Sequence, residues 1–536
     1  MPNTQTRILF RKGLKDDLPT HAPVGEPMYC LDTNELYIGQ GNENNIKNII
    51  DDNVFISDLK VSVDDIYIGR NYYPLISCVG DGIADDSIAI QTCIDKASSL
   101  GIPQINFPNS KKLRVTKTIH VPQGISINGC GSELIRDFDK RNYSLIQLHG
   151  DNEIYGLKIN GGSDLYELQG DDFINYCDLY CNGTNILVRN CKFDKSLGSS
   201  IMIQESSNIT IRDCTLRGFL DHAIYCSSPK NQKPNHNIRI LNNDFKNNST
   251  TRDAIKTRNG VDTVLIDGNK FELNNGFFFT INTGDASNII KSCSEVVCSN
   301  NIGVCKRFIT FNSDNTSINI KDIVVSRNIV KVYDYFFGNI ATENYSVANL
   351  MIENNSITHL PNYKTLLFQF NSNPVIGCGD IIIKNNTINF GHKEKTLGAL
   401  TGKFANIIIT SNVLKSNFSE FVDKYSNNLF TFGDNFNKKG LDCSFSKLIF
   451  NNNQIIGKIS PIFGDIASST EPCKFSGDIS IMNNLFDVGN DVRLLHTNGN
   501  NYSELSNYLT NIGNIEMSNF NVDVKYNSSH IIGNNK

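Results

Sequence analysis

Short segments with the pattern Asn/Asp–apolar–x–apolar–x–x–Asn–x–apolar recur along most of the chain. They read NILVRNCKF from Asn185, NITIRDCTL from Asn208, NIRILNNDF from Asn237, TVLIDGNKF from Thr263, EVVCSNNI from Glu295 and DIVVSRNIV from Asp322. The series continues with NLMIENNSI from Asn349, DIIIKNNTI from Asp380, NIIITSNVL from Asn406, KLIFNNNQI from Lys447, DISIMNNLF from Asp478 and NIEMSNF from Asn514. The offset between copies runs from 23 to 41 residues, so loops of differing length separate equivalent units. Within each copy apolar and polar residues alternate, the period of a strand with one buried face. A helix would need apolar spacings of three to four, which these segments lack.

No single copy can bury its apolar face. Stacked as parallel strands ~4.8 Å apart, the copies enclose a continuous core, which predicts an all-β right-handed parallel β-helix running from about Cys78 to about Tyr526. Ile186, Val188, Ile209, Ile211, Ile381, Ile383, Ile407 and Ile409 then point inward. The seventh place of the repeat holds Asn243, Asn269, Asn301, Asn328, Asn355, Asn386, Asn412, Asn453 and Asn484, a column of amides able to hydrogen-bond up and down the stack at an internal turn. Cys191 and Cys214 occupy the same column in the first two copies, which gives those thiols a structural role.

Composition agrees with this reading and narrows the function. The chain has 536 residues, 39% hydrophobic and 20% charged, too many apolar positions for wholesale disorder. Its net charge is −5 with no long basic run, so the electrostatic footprint of a nucleic-acid binder is missing. Fifteen cysteines follow no zinc-module spacing and read as reduced thiols used as small apolar residues, and no metal-binding or cofactor-binding residue is assigned. No apolar run is long enough to span a membrane. MPNTQTRILFRKGLKDD lacks the apolar core of a signal peptide, so the expectation is a chain made in a cytoplasm and not exported by a leader.

Ahead of the repeats lies GDGIADDSIAIQTCIDKASSLG, residues 80–101. Asp85 suits a helix N-cap, Ile90, Ile94 and Ala97 form a helical stripe, and Gly101 ends it. Gly80, Asp81, Gly82, Asp85, Asp86, Ser87, Ala89, Ile90 and Gln91 resemble the opening segment of the pectate-lyase-like β-helix family. That resemblance implies a short helix plugging the N-terminal end of the β-helix. TRILFRKGLKDDLP and GEPMYCLDTNELYIGQGN, through Arg11, Gly13, Gly25, Glu26, Asp32, Thr33, Leu36, Ile38, Gly39 and Gly41, resemble the small N-terminal module of phage tail fibres, tailspikes and phage hyaluronidases. Met28–Leu31 and Leu36–Ile38 form its hairpin. Three parts follow: an attachment module (1–50), a neck (51–77) and a β-helix (78–536).

Together the two resemblances imply a homotrimeric virion tailspike. It would join phage tail or baseplate proteins through its N-terminal module, and bind and depolymerise a bacterial surface polysaccharide. A receptor-binding spike without catalysis is the alternative. For the chemistry, SSIMIQESS from Ser199, DHAIYCSS from Asp221, RDAIKTRNG from Arg252 and GFFFTINTGD from Gly276 align on successive rungs. With Ile201, Ile224, Ile255 and Phe279 inward, Met202, Tyr225, Lys256 and Thr280 share one outward column, and Gln204, Ser227, Arg258 and Asn282 the next. β-Elimination from a uronic acid needs cations on the carboxylate, a base and a proton donor. Arg258 is the expected clamp, Lys256 or His222 the base and Tyr225 the donor, with Gln204, Thr280, Asn282 and Asp285 binding substrate. RDAIKTRNG resembles the basic strand of β-helix alginate and chondroitin lyases, although the following rung carries no arginine where those families place one. Glycoside hydrolysis would instead use Asp221 and Asp253 as a carboxylate pair.

Overall fold

The computed structural model describes residues 11–13, 16, 27–30, 36–39, 46–48, 71–75, 77–138, 144–165, 176–228, 235–247, 252–282, 293–312, 319–339, 346–360, 367–371, 378–390, 397–416, 429–432, 443–457, 463–465, 475–487, 495–496 and 509–516. The chain divides into two compact units, 1–73 with 99–102, and 74–98 with 103–536.

In the larger unit the repeats stack as a right-handed parallel β-helix. Three short strands make one coil, as in Thr184–Arg189, Lys192–Asp194 and Ser199–Ile203, and each pairs in parallel with its counterpart one coil on. The register keeps the pattern's second place in line through Ile186, Ile209, Ile238, Val264, Val296, Ile323, Leu350, Ile381, Ile407 and Leu448. All eight residues expected to point inward are buried. The last described strand is Leu509–Glu516, so the expected end of the β-helix near Tyr526 lies outside the described residues.

Left-handed backbone bounds each repeat. Its first place has positive φ at Asn185, Asn208, Asn237, Thr263, Glu295, Asp322 and Asn349. Its sixth place does so at Asn190, Asp213, Asn242, Gly268, Asn300, Arg327, Asn354, Asn385, Ser411, Asn452 and Asn483. Asn and Asp tolerate this conformation better than other residues with a side chain, and eleven of these eighteen corner positions hold asparagine. The seventh-place column is buried beside them. At Asn355 the backbone N–H and the side-chain Nδ2 both donate to Asn386 Oδ1 at 2.9 Å, and Nδ2 also donates to Val325 O on the preceding coil. The same pattern repeats to Asn484. At the head of the column Cys214 N donates to Asn243 Oδ1, while the thiols of Cys191 and Cys214 point at the carbonyls of Ile154 and Val188. The thiol thus takes the amide's place as donor to the preceding coil. Aromatic rings stack through the interior from Phe271 through Phe278 and Phe308 to Phe336, at centroid separations of 4.2, 5.2 and 5.0 Å.

The helix Ser87–Ser99 buries Ile90, Cys93, Ile94 and Ala97, the stripe read from sequence. Its cap lies one residue later than expected. Ile90 N donates to Asp86 O, placing Asp86 at the N-cap, while Asp85 accepts from Ser87 N at 3.0 Å. The Asp86 carboxylate is buried and accepts instead from the N–H groups of Val79 and Gly80. Gly80 and Gly82 have φ of +68° and +78°, which only glycine adopts freely. One charged pair breaks the apolar interior. Asp178 is fully buried with Arg136 Nη1 3.9 Å away, and burial pushes its carboxyl up to about 7 against the pull of the guanidinium.

The smaller unit contains a four-stranded sheet. Arg11–Gly13 lies parallel to Pro27–Cys30, which pairs antiparallel with Leu36–Gly39 and that in turn with Ile46–Asn48. The pairing of Met28 with Tyr37 is the expected hairpin. Of the expected neck, only 71–75 and 77 are described.

Candidate functional site

The four aligned segments take the expected register. Ile201, Ile224, Ile255 and Phe279 stack inward, and Met202, Tyr225, Lys256 and Thr280 stack beside them. Ser227, Arg258 and Asn282 form the next column. Pairing of Ile224 with Ile255 sets His222 directly against Asp253, and Asp253 pairs in turn with Phe277 and Phe277 with Arg307.

At this column three ionisable groups meet. His222 Nε2 lies 3.2 Å from Asp221 Oδ1, and His222 Nδ1 lies 3.5 Å from Asp253 Oδ2. All three residues are at least nine-tenths buried. Burial drives the imidazole well below its usual pKa, and the nearby charges of Lys256 and Arg252 push the same way. Burial raises the Asp253 carboxyl, opposed by Lys256, by the Thr280 hydroxyl, by Arg252 and by Arg307. Nε2 lies within hydrogen-bond distance of Asp221, whereas Nδ1 is buried without a hydrogen-bond partner, so a neutral imidazole protonated at Nε2 keeps its lone pair at Nδ1.

Tyr225 and Lys256 are the half-buried members above this trio. The Tyr225 ring leans back over His222, with centroids 5.1 Å apart. Of the other expected residues that are described, only Thr280 meets the trio. Arg258 lies five positions along the strand from Asp253, ~16 Å at strand rise, and its charge is not among those acting on His222 or Asp253. Rung order sets these residues on neighbouring rungs, and distance along the strand separates them. Gln204 is at the equivalent far position, where it accepts a hydrogen bond from Tyr180 Oη at 2.9 Å. Thr280 is buried; its hydroxyl donates to Asp253 Oδ1 at 2.5 Å and lies 2.6 Å from Thr310 Oγ1, so it positions the carboxylate. Asn282 is also buried. Asp285 lies outside the described residues. The imidazole lies between Asp221 and Asp253, the two carboxylates that a hydrolytic mechanism would pair.

Arg307, Asp334 and Tyr335, which no sequence pattern singles out, complete the neighbourhood. Arg307 Nε donates to Asp334 Oδ2 at 2.6 Å, and its guanidinium stacks between Phe277 and Tyr335, 4.7 and 5.0 Å from the ring centroids. Arg307 belongs to none of the four aligned segments, and only the register brings it under Asp253's column. No group of His, Cys, Asp and Glu among the described residues has the arrangement of a metal site.

Residues 123–301 match the family model of a right handed beta helix region. No curated protein matches the chain by sequence. Among solved structures, PfbA, a surface adhesin of Streptococcus pneumoniae, is 15% identical over 80% of this chain and 93% of its own, with a TM-score of 0.46. The tailspike protein of E. coli bacteriophage HK620 in complex with pentasaccharide is 13% identical over 85% and 80%, with a TM-score of 0.45. The A-module of the Azotobacter vinelandii mannuronan C-5 epimerase AlgE6 is 10% identical over 83% and 99%, with a TM-score of 0.41.

Proposed function

We propose that the chain is a phage tailspike that binds a bacterial surface polysaccharide and cuts it by β-elimination. The observation that carries the enzyme reading is His222 held between Asp221 and Asp253 on the β-helix wall, with Tyr225 and Lys256 above it. A base must already be deprotonated at working pH, and burial keeps the imidazole neutral. His222 accepts the proton lost from the carbon beside the uronate carboxylate. Asp221 and Asp253 stabilise the imidazolium that forms. Lys256 offsets the charge that builds on the carboxylate, and Tyr225 protonates the leaving glycosidic oxygen. The tailspike reading rests on the resemblance of the N-terminal segment and of the Gly80–Gln91 segment to phage and β-helix proteins.

One observation favours a spike that only binds. The trio is almost closed to solvent and its members hydrogen-bond partners within the wall, as a structural network would. Incubation with purified capsular and exopolysaccharides separates the readings. β-Elimination releases oligosaccharides that absorb in the ultraviolet through a new C=C bond and, by mass spectrometry, lack one water relative to hydrolysis products. Binding without release supports the receptor spike, and saturated products support a hydrolase.

A further inference from the structure

Arg307 lies on the same column as His222 and Asp253, two rungs beyond Asp253, or ~10 Å along the helix axis. Three contacts fix its guanidinium. Phe277 from the preceding rung and Tyr335 from the following one sandwich the plane, and Asp334 holds Nε. Among the described residues no other hydrogen bond or ion pair engages it, so both Nη groups keep their donors. The side chain is 18% exposed. Asp334 is buried, and its Oδ1 has no hydrogen-bond partner although Oδ2 is bonded. A bidentate ion pair uses both oxygens and two donors of the fork. Here one edge of each is used, and the rings hold the free end of the guanidinium in a fixed plane. Fixed planar donors suit a planar, two-oxygen anion.

We propose that Arg307 is a subsite for a carboxylate carried by a sugar, placed two rungs from the reacting sugar. The inference rests on the glycan-cleaving reading of the column and names its substrate class, a polysaccharide whose acid groups recur along the chain and whose axis follows the β-helix axis. Lys256 then serves the acid group at the reaction centre and Arg307 the next one along. Arg258, far along the strand, serves neither.

The test uses the full-length protein with sodium D-glucuronate and D-glucose as probes. Saturation-transfer NMR measures affinity, and soaked crystals locate the sugar. The expected result is glucuronate bound through its carboxylate to the Arg307 Nη groups, with glucose at least about tenfold weaker. Arg307→Gln abolishes the preference. Arg307→Lys keeps the charge but not the fork or the stack, and binds glucuronate several-fold more weakly. N-Acetylneuraminate and pyruvylated galactose, as further arms, show which carboxylate-bearing sugar fits. Glucuronate bound no better than glucose, a carboxylate seated away from Arg307, or an unchanged preference in Arg307→Gln overturns the proposal. The wild-type soak decides the matter even if Arg307→Gln does not fold. The outcome is separable from the enzyme reading: glucuronate held at Arg307 with no polysaccharide cut defeats catalysis alone, and cleavage without that preference defeats the subsite alone.

Discussion

At the scale of single residues, the trio makes a definite claim about pH. His222 must be neutral to act, and burial together with Lys256 and Arg252 holds its pKa well below 6.5. The acid limb of kcat/KM should therefore fall below pH 6.5, and a limb at or above that value would remove His222 as the base. Asp253→Asn and Lys256→Ala should each lower turnover about a hundredfold or more, an order of magnitude for losing acid–base or charge assistance, while Arg258→Ala should have a much smaller effect. Release of oligosaccharide over time measures all three. Asp178 offers an independent test in stability. Its folded pKa of about 7 lies above the unfolded carboxylate value, so the folded state holds an extra proton between them. That contribution is fully present below pH 4 and lost as the pH rises through 7, at about 1.4 kcal/mol per pKa unit. Between pH 5 and 8 the wild-type melting temperature should carry a downward component that Asp178→Asn lacks.

At the scale of elements, the corner and the ladder divide one job between neighbouring asparagines. Asn354 supplies the left-handed turn at φ +56°, and Asn355 supplies the buried amide. Asn354→Gly should be nearly neutral, whereas Asn354→Val forces a β-branched residue into a conformation it resists. Asn355→Ala should cost about 3 kcal/mol, because it strands buried donors and acceptors on the coils to either side. Asn243→Cys should cost less, since it only extends the thiol end already formed by Cys191 and Cys214. Thermal unfolding of the four variants reads this ranking, and an Asn355→Ala protein as stable as wild type would show that the amide column is ornamental. The sequence revealed the ladder because its residue recurs at one place in the repeat. It did not reveal the left-handed corners, whose occupants vary from Asn to Asp, Ser, Arg, Thr and Glu while the backbone stays the same.

At the scale of the whole molecule, the attachment module and the homotrimer are proposals carried by the N-terminal resemblance, and light scattering of the full-length chain should show three copies; a monomer alone would remove that part of the reading. The β-helix itself was legible from residue pattern. A period of two fixes which side chains enter the core, and a recurring motif fixes which ones stack, so Ile186, Ile209 and Ile381 could be placed inside without coordinates. Rung order was legible for the same reason, which set His222 beside Asp253. Other features depended on distances that a linear pattern does not carry. Separation along the strand takes Arg258 and Gln204 away from the trio, while the bend of the Tyr225 ring brings that residue in. Arg307 reaches the column through coils with loops of unequal length, so no fixed spacing points to it. Thr280 turns from a surface residue into a buried support because burial depends on what the whole wall covers. Sequence alone determined the stack and its register, since both follow from periodic burial. Tertiary structure decided which polar groups on the wall meet, since that depends on side-chain reach, strand length and the local exclusion of water.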